Sequence, residues 1–354
     1  MSRQVATVLK SSGCRVMRDA VRDSKKFFRK LLFVSIFLSI PHSNIFCCRY
    51  PIHKRVIKLP FTDMPSKLGF FGSMPSYTNG LNGGDYASCK CISVFPRNSQ
   101  TNGRFSSHQG VVLLWNKDGN GELLLIADAH EITRIRTAAA SAVATRRIIG
   151  KSRCKEARVL SILGTGCQAL SHIDAMREIL PNLEDIRIWG RDSKKMARLK
   201  EKSPAHRIVT CHQTVASCVE NADVICTVTS STTPILTEEH QNLFKPRCHV
   251  NAVGACTPQF RELSPEIFQK SFASAKAIYT DSVDACLKEP GDFLDYNKTV
   301  EGDVDSNLVG VGDVLVGKES VCEEPALTVF KSLGIALEDL FAAKLIYERI
   351  EAKV

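Results

Sequence analysis

The sequence lacks the short motifs that assign a reaction by themselves. It contains no His-Glu-x-x-His segment, no P-loop and no Ser-His-Asp arrangement, so metalloproteases, P-loop nucleotide hydrolases and serine hydrolases have no support. Fourteen cysteines are present, but none forms a Cys-x-x-Cys pair or has histidines at zinc-finger spacing. We therefore interpret the cysteines as reduced thiols of a cytoplasmic protein, and we predict no metal site.

An excess of positive charge is lacking over most of the chain, although the net charge is +10. Residues 1–30 hold nine Lys and Arg against Asp19 and Asp23, which accounts for +7 and leaves +3 for the remainder. Charge confined to one end is typical of a tail or a targeting segment. We therefore expect no nucleic-acid-binding groove over the body of the protein.

The apolar run at 31–40 is too short for a membrane-spanning helix, which needs about 20 residues. It has ten residues, follows the basic segment 25–30 and ends at Pro41. Three interpretations stay open for this part of the chain: a buried helix or strand, which we favour, a membrane-surface or organelle-targeting segment, or a start that does not belong to the mature protein. We treat 1–50 as a separate, divergent segment.

From residue 158 the chain alternates apolar, β-branched runs with helical patterns. Helices are predicted up to residue 180, over 193–202, and near 215–221 and 265–271. The six predicted strands read ARVLSILG, DIRIWG, RIVTCH, DVICTVTS, CHVNAVGA and AIYTDS. Apolar strands joined by helical crossovers are typical of a parallel sheet that is buried on both faces. The predicted fold class is α/β, with a Rossmann-type doubly wound parallel sheet.

The flanking segments follow a different pattern. Residues 51–130 contain the alternating runs RVIKLP, CKCISVFP, GVVLLWN and GELLLIAD, separated by Gly, Asn and Asp turns, which indicates an antiparallel sheet. Alternation places Cys89 and Cys91 on the same face of one strand. Residues 326–350 carry helical spacing and are predicted to form a long helix that returns to this first domain. Two domains are thus predicted. The first is an α+β domain built from both chain ends, 51–145 with 321–354, and the second is the parallel-sheet domain, 146–320.

A glycine-rich turn opens the parallel-sheet domain. Gly164-Thr165-Gly166-Cys167-Gln168-Ala169 follows a strand and precedes a helix. In that context the first Gly permits the turn, Gly166 lets the backbone approach a pyrophosphate, and the helix N-terminus favours the negative charge. The turn predicts dinucleotide binding, and the polar string at 227–234, which includes Thr229 and Ser230, predicts further contact at the strand ends.

The end of the second strand bears on the type of dinucleotide. Gly190 and Arg191 stand where an NAD site usually offers an acidic residue to the ribose hydroxyls. Arg191 with Ser193 and Lys195 is suited to a 2′-phosphate, so NADPH is favoured and NADH stays open. Asp192 either contacts the ribose or caps the helix that begins at Ser193.

Cations in the first domain are the candidates for chemistry. Thr133 is expected to cap a helix that carries Arg136 in its first turn, where a solvent-facing salt bridge or a bound anion must account for the cation. Lys90 would be partly desolvated if it faced inward, which eases loss of its proton. The pair Lys54 and Arg55 is a further candidate.

Five blocks, in order, resemble the ornithine cyclodeaminase/mu-crystallin family, and most closely its mu-crystallin (ketimine reductase) branch. They cover about residues 51–354 and read EITRIRTAAASAVAT, LSILGTGCQA, NAVGACTPQFREL, YTDSVDACLKEPGDF and TVFKSLGIALEDLFAAKLIY. The resemblance implies that the first domain binds substrate and forms a homodimer, and that the second is a Rossmann domain for NAD(P). The resemblance also implies thyroid hormone as a further binding partner.

The resemblance also assigns site residues. It makes Arg136 the arginine beside the substrate carboxylate and the nicotinamide, Lys90 the active-site lysine, Lys54 or Arg55 the second carboxylate-binding cation, and Glu289 a pocket residue. The other cofactor-contact positions that it marks are His108, Thr165, Cys167, Gln168, Arg191, Thr229, Val253 and Ser332.

Two departures from the family pattern bear on the reaction. Members that deaminate ornithine carry a glutamate where this chain has Gly72 and an aspartate where it has Cys256. Expulsion of ammonia needs placed carboxylates for proton transfer, so cyclodeamination is disfavoured. The resemblance then implies NAD(P)H-dependent reduction of a cyclic ketimine carboxylate such as piperideine- or pyrroline-2-carboxylate. The alternatives are cyclodeamination, alanine dehydrogenation, or NADPH and thyroid-hormone binding without turnover.

Overall fold

The computed structural model describes residues 69–78, 85–95, 98, 106, 108–116, 119–300 and 307–351, with the backbone of a short strand at 57–59. The predictions for the 1–50 segment and for Lys54 and Arg55 lie outside the described residues. No helix among the described residues is both long enough and apolar enough to cross a membrane.

The described chain contains thirteen strands and nine α-helices. The strands are β1 Ile57–Leu59, β2 Phe70–Tyr77, β3 Tyr86–Val94, β4 His108–Asn116, β5 Leu123–Asp128, β6 Val159–Leu163, β7 Asp185–Trp189, β8 Val209–His212, β9 Val224–Thr227, β10 Cys248–Ala252, β11 Ile278–Thr280, β12 Leu308–Gly310 and β13 Leu327–Lys331. The helices are α1 Ala129–Glu156, α2 Cys167–Ile179, α3 Ser193–Lys202, α4 Val215–Val219, α5 Pro265–Ala275, α6 Val283–Cys286, α7 Gly291–Asn297, α8 Val311–Leu315 and α9 Ala336–Glu351.

The chain divides into two compact units. The first unit comprises Met1–Arg136 and Ile335–Val354, and the second comprises Thr137–Gly334. The sequence placed these divisions at 145/146 and 320/321. The structural divisions lie at 136/137, within α1, and at 334/335, after β13, which belongs to the parallel sheet of the second unit.

The first unit is built on a five-stranded antiparallel sheet in the order β1-β2-β3-β4-β5. The four predicted strand patterns of this region all form strands, and β2 is an additional one. The predicted helix at 326–350 is partly wrong, because Leu327–Lys331 is a strand and the helix occupies Ala336–Glu351. Gly334 separates the two with a φ of 76°, which glycine adopts without steric cost.

Strand β3 shows how the alternation in sequence sorts side chains between the two faces of the sheet. Ser88, Lys90 and Val94 are buried, whereas Cys91 is exposed. The Sγ atoms of Cys89 and Cys91 lie 3.8 Å apart, as expected for two thiols on one face. Helix α9 packs against β2, β3, β4 and β5, so its residues and Lys90 belong to one buried region.

The second unit contains an eight-stranded parallel sheet in the order β12-β11-β13-β10-β9-β6-β7-β8. All six predicted strands are present, which confirms the Rossmann-type sheet, and the sequence missed β12 and β13. Strands β9 and β10 are buried along their whole length. Burial on both faces explains why these strands read as continuous apolar runs in the sequence.

Two histidines of the second unit, His172 and His249, are fully buried. The Nε2 atom of His172 lies 3.0 Å from the Ser141 hydroxyl, and Nδ1 of His249 lies 2.8 Å from the Thr328 hydroxyl. Burial lowers the pKa of His172 to about 4 and that of His249 to about 3. Both rings are therefore neutral in the folded protein well below the pH at which an unfolded histidine takes up a proton.

The buried histidines predict a loss of stability in acid. As the pH falls from about 6.5 the unfolded chain gains protons that the folded chain does not, so the free energy of unfolding decreases, by about 2 kcal/mol per histidine at pH 5. Urea unfolding at neutral and mildly acidic pH measures this loss. His172→Gln should reduce the pH dependence, whereas His206→Gln, at an exposed position, should preserve it. An equal acid sensitivity of both variants would contradict the assignment.

Candidate active site

Four ionisable side chains of the first unit form a buried cluster, which we call the charged cluster: Lys90, Arg136, Glu338 and Asp339. The Lys90 Nζ lies 2.8 Å from Asp339 Oδ2, and the Arg136 Nε lies 3.1 Å from Asp339 Oδ1. The Arg136 Nη1 lies 2.7 Å from Glu338 Oε2. Each of these residues is at most 5% exposed. One carboxylate, that of Asp339, therefore joins the two predicted active-site cations.

The elements of the first unit explain this arrangement. Lys90 points to the buried face of β3, and Glu338 and Asp339 lie in the first turn of α9, where carboxylates interact favourably with the helix dipole. Two acids inside a mostly apolar helix are a visible signal in the sequence. Neither acid was assigned a role from the sequence.

The predicted surroundings of Arg136 were wrong in two respects. Helix α1 begins at Ala129, and the Asp128 carboxylate accepts a hydrogen bond from the Glu131 amide at 2.8 Å, so Thr133 is not the cap. Arg136 consequently lies beyond the first turn. Its charge is balanced by the buried carboxylates of Glu338 and Asp339, so the solvent-facing salt bridge was wrong, whereas the bound anion stays a prediction.

Burial dominates the electrostatics of Lys90. Desolvation lowers the pKa of its ammonium group, and the neighbouring Arg136 lowers it further, whereas Asp339 and Glu338 raise it. The inward orientation on which the sequence argument depended is present in the structure. Loss of a carboxylate from this cluster would make the Lys90 proton easier to lose.

The glycine turn lies between β6 and α2 in the second unit. Gly164 has a φ of 132°, and a Cβ there would meet the Val228 carbonyl oxygen at 2.7 Å. Gly166 is the N-cap of α2, with no side-chain cap, and a Cβ there would meet nothing within 4 Å. Open space beside an uncapped helix N-terminus fits a pyrophosphate, since the first amide groups need acceptors.

The end of β7 adjoins this turn. A Cβ on Gly190 would lie 2.6 Å from the Thr165 side chain, so glycine permits the two turns to pack closely. The Asp192 carboxylate accepts a hydrogen bond from the Lys195 amide at 3.1 Å and caps α3, which was the alternative role considered for it. Arg191 is exposed beside it.

A buried carboxylate that the sequence analysis missed organises the ends of β9 and β10. Glu262 accepts hydrogen bonds from the Thr227 hydroxyl at 2.7 Å, from the Thr229 amide at 2.5 Å and hydroxyl at 2.9 Å, and from the Gly254 amide at 2.7 Å. Its fixed acceptors hold Thr229 in place. Glu262 lies within a block quoted for the resemblance, but only the folded chain brings it to these strand ends.

The remaining predicted residues divide between the units. His108 begins β4 in the first unit. In the second unit, Cys167 and Ser230 are exposed, and Gln168 is the second residue of α2. Val253 is buried after β10, and the Ser332 hydroxyl donates to Asp281 at 3.1 Å. Glu289 follows α6 and also belongs to the second unit. Among the described residues no three His, Cys, Asp or Glu side chains are grouped as metal ligands.

The fold and the two sites define a dinucleotide-binding protein that carries a buried cationic site in a separate unit. The chain belongs to the ornithine cyclodeaminase/mu-crystallin family, whose model matches residues 51–354. The predicted family is thereby confirmed.

Sequence relatives extend the comparison. Ketimine reductase mu-crystallin of Mus musculus is 38% identical over 281 residues, which cover 79% of this chain and 80% of the mouse protein. Delta(1)-pyrroline-2-carboxylate reductase of Bacillus cereus is 30% identical over 285 residues, covering 78% and 80% of the two chains. Both relatives are named as reductases of C=N bonds.

A solved structure supports the same architecture. Delta(1)-pyrroline-2-carboxylate reductase of Thermococcus litoralis, in complex with NADH and L-proline, has a TM-score of 0.70 and 27% identity, and the match covers 81% of this chain and 84% of that one. An archaeal alanine dehydrogenase dimer with bound NAD shares the fold, with a TM-score of 0.70 at 24% identity and coverage of 84% of each chain.

Proposed function

We propose that this protein is an NAD(P)H-dependent reductase of cyclic ketimine carboxylates, with five- or six-membered rings of the pyrroline- or piperideine-2-carboxylate type. Its relatives carry this activity in their names. The observation that carries the proposal is the burial of Lys90 and Arg136 together, each held by Asp339. A buried guanidinium can bind the carboxylate of an imino acid, and a buried ammonium can donate to its imine nitrogen.

The chemistry assigns each residue a role. The bound nicotinamide supplies a hydride to the carbon of the C=N bond. Arg136 binds the substrate carboxylate through charge-assisted hydrogen bonds, with Lys54 or Arg55 as the proposed second cation. Lys90 donates a hydrogen bond or a proton to the imine nitrogen, because the carbon becomes electrophilic when that nitrogen is protonated. Glu289 is proposed to line the substrate pocket.

The chain itself argues against deamination of ornithine. Gly72 lies within β2, opposite Ile92 of β3, and brings no carboxylate to that position. Cys256 is exposed in the second unit, where the deaminating members carry an aspartate. A thiol is a poor substitute for a carboxylate in proton transfer from an amine.

The direct test is an assay with cyclic imines of both ring sizes and each reduced cofactor. We expect consumption of NADPH and formation of the cyclic amino acid. Ammonia release from ornithine or alanine would favour deamination or dehydrogenation instead. Iodothyronine binding without cofactor oxidation would identify a hormone-binding protein that lacks turnover.

We also propose NADPH as the preferred cofactor, from the exposed Arg191 and Lys195 beside the glycine turn. Arg191→Ala should weaken NADPH binding by about 10- to 100-fold, because a charge-assisted bond to the 2′-phosphate is lost. NADH binding should change little. Titration calorimetry measures both, and Arg198→Ala, at an exposed position of the helix α3 that follows Arg191, is the matched control. Equal weakening of both cofactors would contradict the preference.

A homodimer is the proposed assembly. Phe71, Tyr77 and Val111 are 45%, 48% and 38% exposed, and they alternate with the buried residues of β2 and β4. Large exposed apolar side chains on one sheet face are typical of an interface. Light scattering coupled to size exclusion measures the mass, and a monomer at assay concentration would contradict the proposal.

A further inference from the structure

We infer that Asp339 is a positioning residue that sets the spacing of Lys90 and Arg136 and keeps the Lys90 ammonium protonated for the imine nitrogen. This inference rests on the proposed function. It goes beyond that function because it assigns control of the Lys90 protonation state to a carboxylate on the C-terminal helix, α9.

The geometry gives Asp339 two tasks at once. Its two oxygens contact different cations, with Oδ2 2.8 Å from the Lys90 Nζ and Oδ1 3.1 Å from the Arg136 Nε. A rigid carboxylate between the two therefore fixes the distance from the group that meets the imine nitrogen to the group that meets the substrate carboxylate. In the substrate, the carboxylate is attached to the ring carbon next to the imine nitrogen, so the spacing of Lys90 and Arg136 is critical for alignment.

The second task is electrostatic. Lys90 is 3% exposed, and a buried ammonium without a partner tends to lose its proton. Arg136 adds a second positive charge nearby, which disfavours the protonated form of Lys90. Asp339 opposes both effects through its direct ion pair. Neutral Lys90 has no proton to give, so the carboxylate keeps the reductase in its reactive form.

Other groups that face Lys90 are included in the test. Among the described residues the charged and titratable neighbours that interact with it are Asp339 and Glu338 from α9, Arg136 from α1 and His108 from β4. Glu338 pairs with Arg136, and its contact with Lys90 is only electrostatic. Glu338→Gln is therefore the matched variant, since it removes one negative charge of the same cluster without breaking the Lys90 ion pair.

The test compares kcat/KM of Asp339→Asn with that of the wild type across the pH range. The ratio of the variant kcat/KM to the wild-type kcat/KM at each pH cancels the titration of the substrate. Loss of a carboxylate in direct contact lowers the pKa of an ammonium by one to three units, so the ratio should fall by about 10- to 1000-fold from mildly acidic to alkaline pH. Glu338→Gln should show a smaller change in the ratio. A ratio for Asp339→Asn that stays constant with pH would overturn the proton-supply role.

Asp339→Glu is the second variant, and it tests the proposal if Asp339→Asn does not fold. It retains the charge but displaces the carboxylate, so its ratio to the wild type should stay constant with pH while kcat falls by about 100-fold. An unchanged kcat would overturn the positioning role. Cofactor affinity, measured on each variant, should stay within about twofold. If the wild type itself reduces no cyclic imine, the proposed function fails, which is a different outcome from wild-type turnover with a constant ratio.

Discussion

Arg136→Met is expected to abolish reduction of cyclic imines and to destabilise the protein. The variant removes the proposed carboxylate-binding group, and misalignment of a substrate costs on the order of 100-fold in rate or more. It also leaves Glu338 and Asp339 buried without their guanidinium partner. Breaking a buried ion pair costs about 3–5 kcal/mol. Steady-state kinetics and urea unfolding measure the two effects separately.

Two controls separate the catalytic loss from the loss of stability. Adding Glu338→Gln to Arg136→Met removes one uncompensated charge, and should restore part of the stability without restoring turnover. Arg134→Ala breaks a salt bridge on the same helix whose partner, Glu131, is 41% exposed at its side chain, and should cost less than about 1 kcal/mol. Turnover that returns in the double variant would remove Arg136 from the mechanism.

Gly166→Val is expected to abolish tight binding of both reduced cofactors while the protein still folds. Gly166 has φ −79° and ψ −172°, which a residue with a side chain also adopts, and the added atoms meet open space. That space is the proposed path of the pyrophosphate. Loss of one or two charge-assisted bonds to it corresponds to about 100-fold in affinity. Titration of NADPH and NADH measures the loss.

The matched control for Gly166→Val lies two residues earlier in the same turn. Gly164→Ala places a Cβ 2.7 Å from the Val228 carbonyl oxygen at a φ of 132°, so it should lower the stability of the fold itself. Normal cofactor binding by Gly166→Val would show that the pyrophosphate does not pass this glycine. Arg191→Ala should weaken the binding of NADPH alone. It therefore distinguishes contact with the 2′-phosphate of the ribose from contact with the pyrophosphate.

The sequence predicted the parallel sheet well because its central strands β9 and β10 are buried along their whole length, and because helical segments separate most of the predicted strands. Strand β12, with three residues, was not among the predicted strands. Strand β13 was assigned to a helix because a short apolar run carries no periodicity that distinguishes strand from helix. All five of its residues are buried, including Lys331, which pairs with Asp292 at 3.2 Å.

The candidate site was only partly predictable. The glycine turn is local, so its role could be read from adjacent residues. The partners of Arg136 are about 200 positions away along the chain, and only the packing of α9 brings them together. The same holds for Glu262, which reaches the ends of two strands from a later loop. The helix start was wrong because the Asp128 carboxylate at the end of β5, rather than Thr133, supplies the cap.

The central claim is the transfer of a hydride from a reduced nicotinamide to the carbon of a cyclic imine. The most direct measurement uses cofactor that carries deuterium on one face of the nicotinamide C4 position, followed by mass spectrometry of the product. We predict one deuterium on the α-carbon of proline or pipecolate from one labelled face, and none from the other. A product without deuterium from either face, or labelled cofactor that stays unconsumed, would contradict the account.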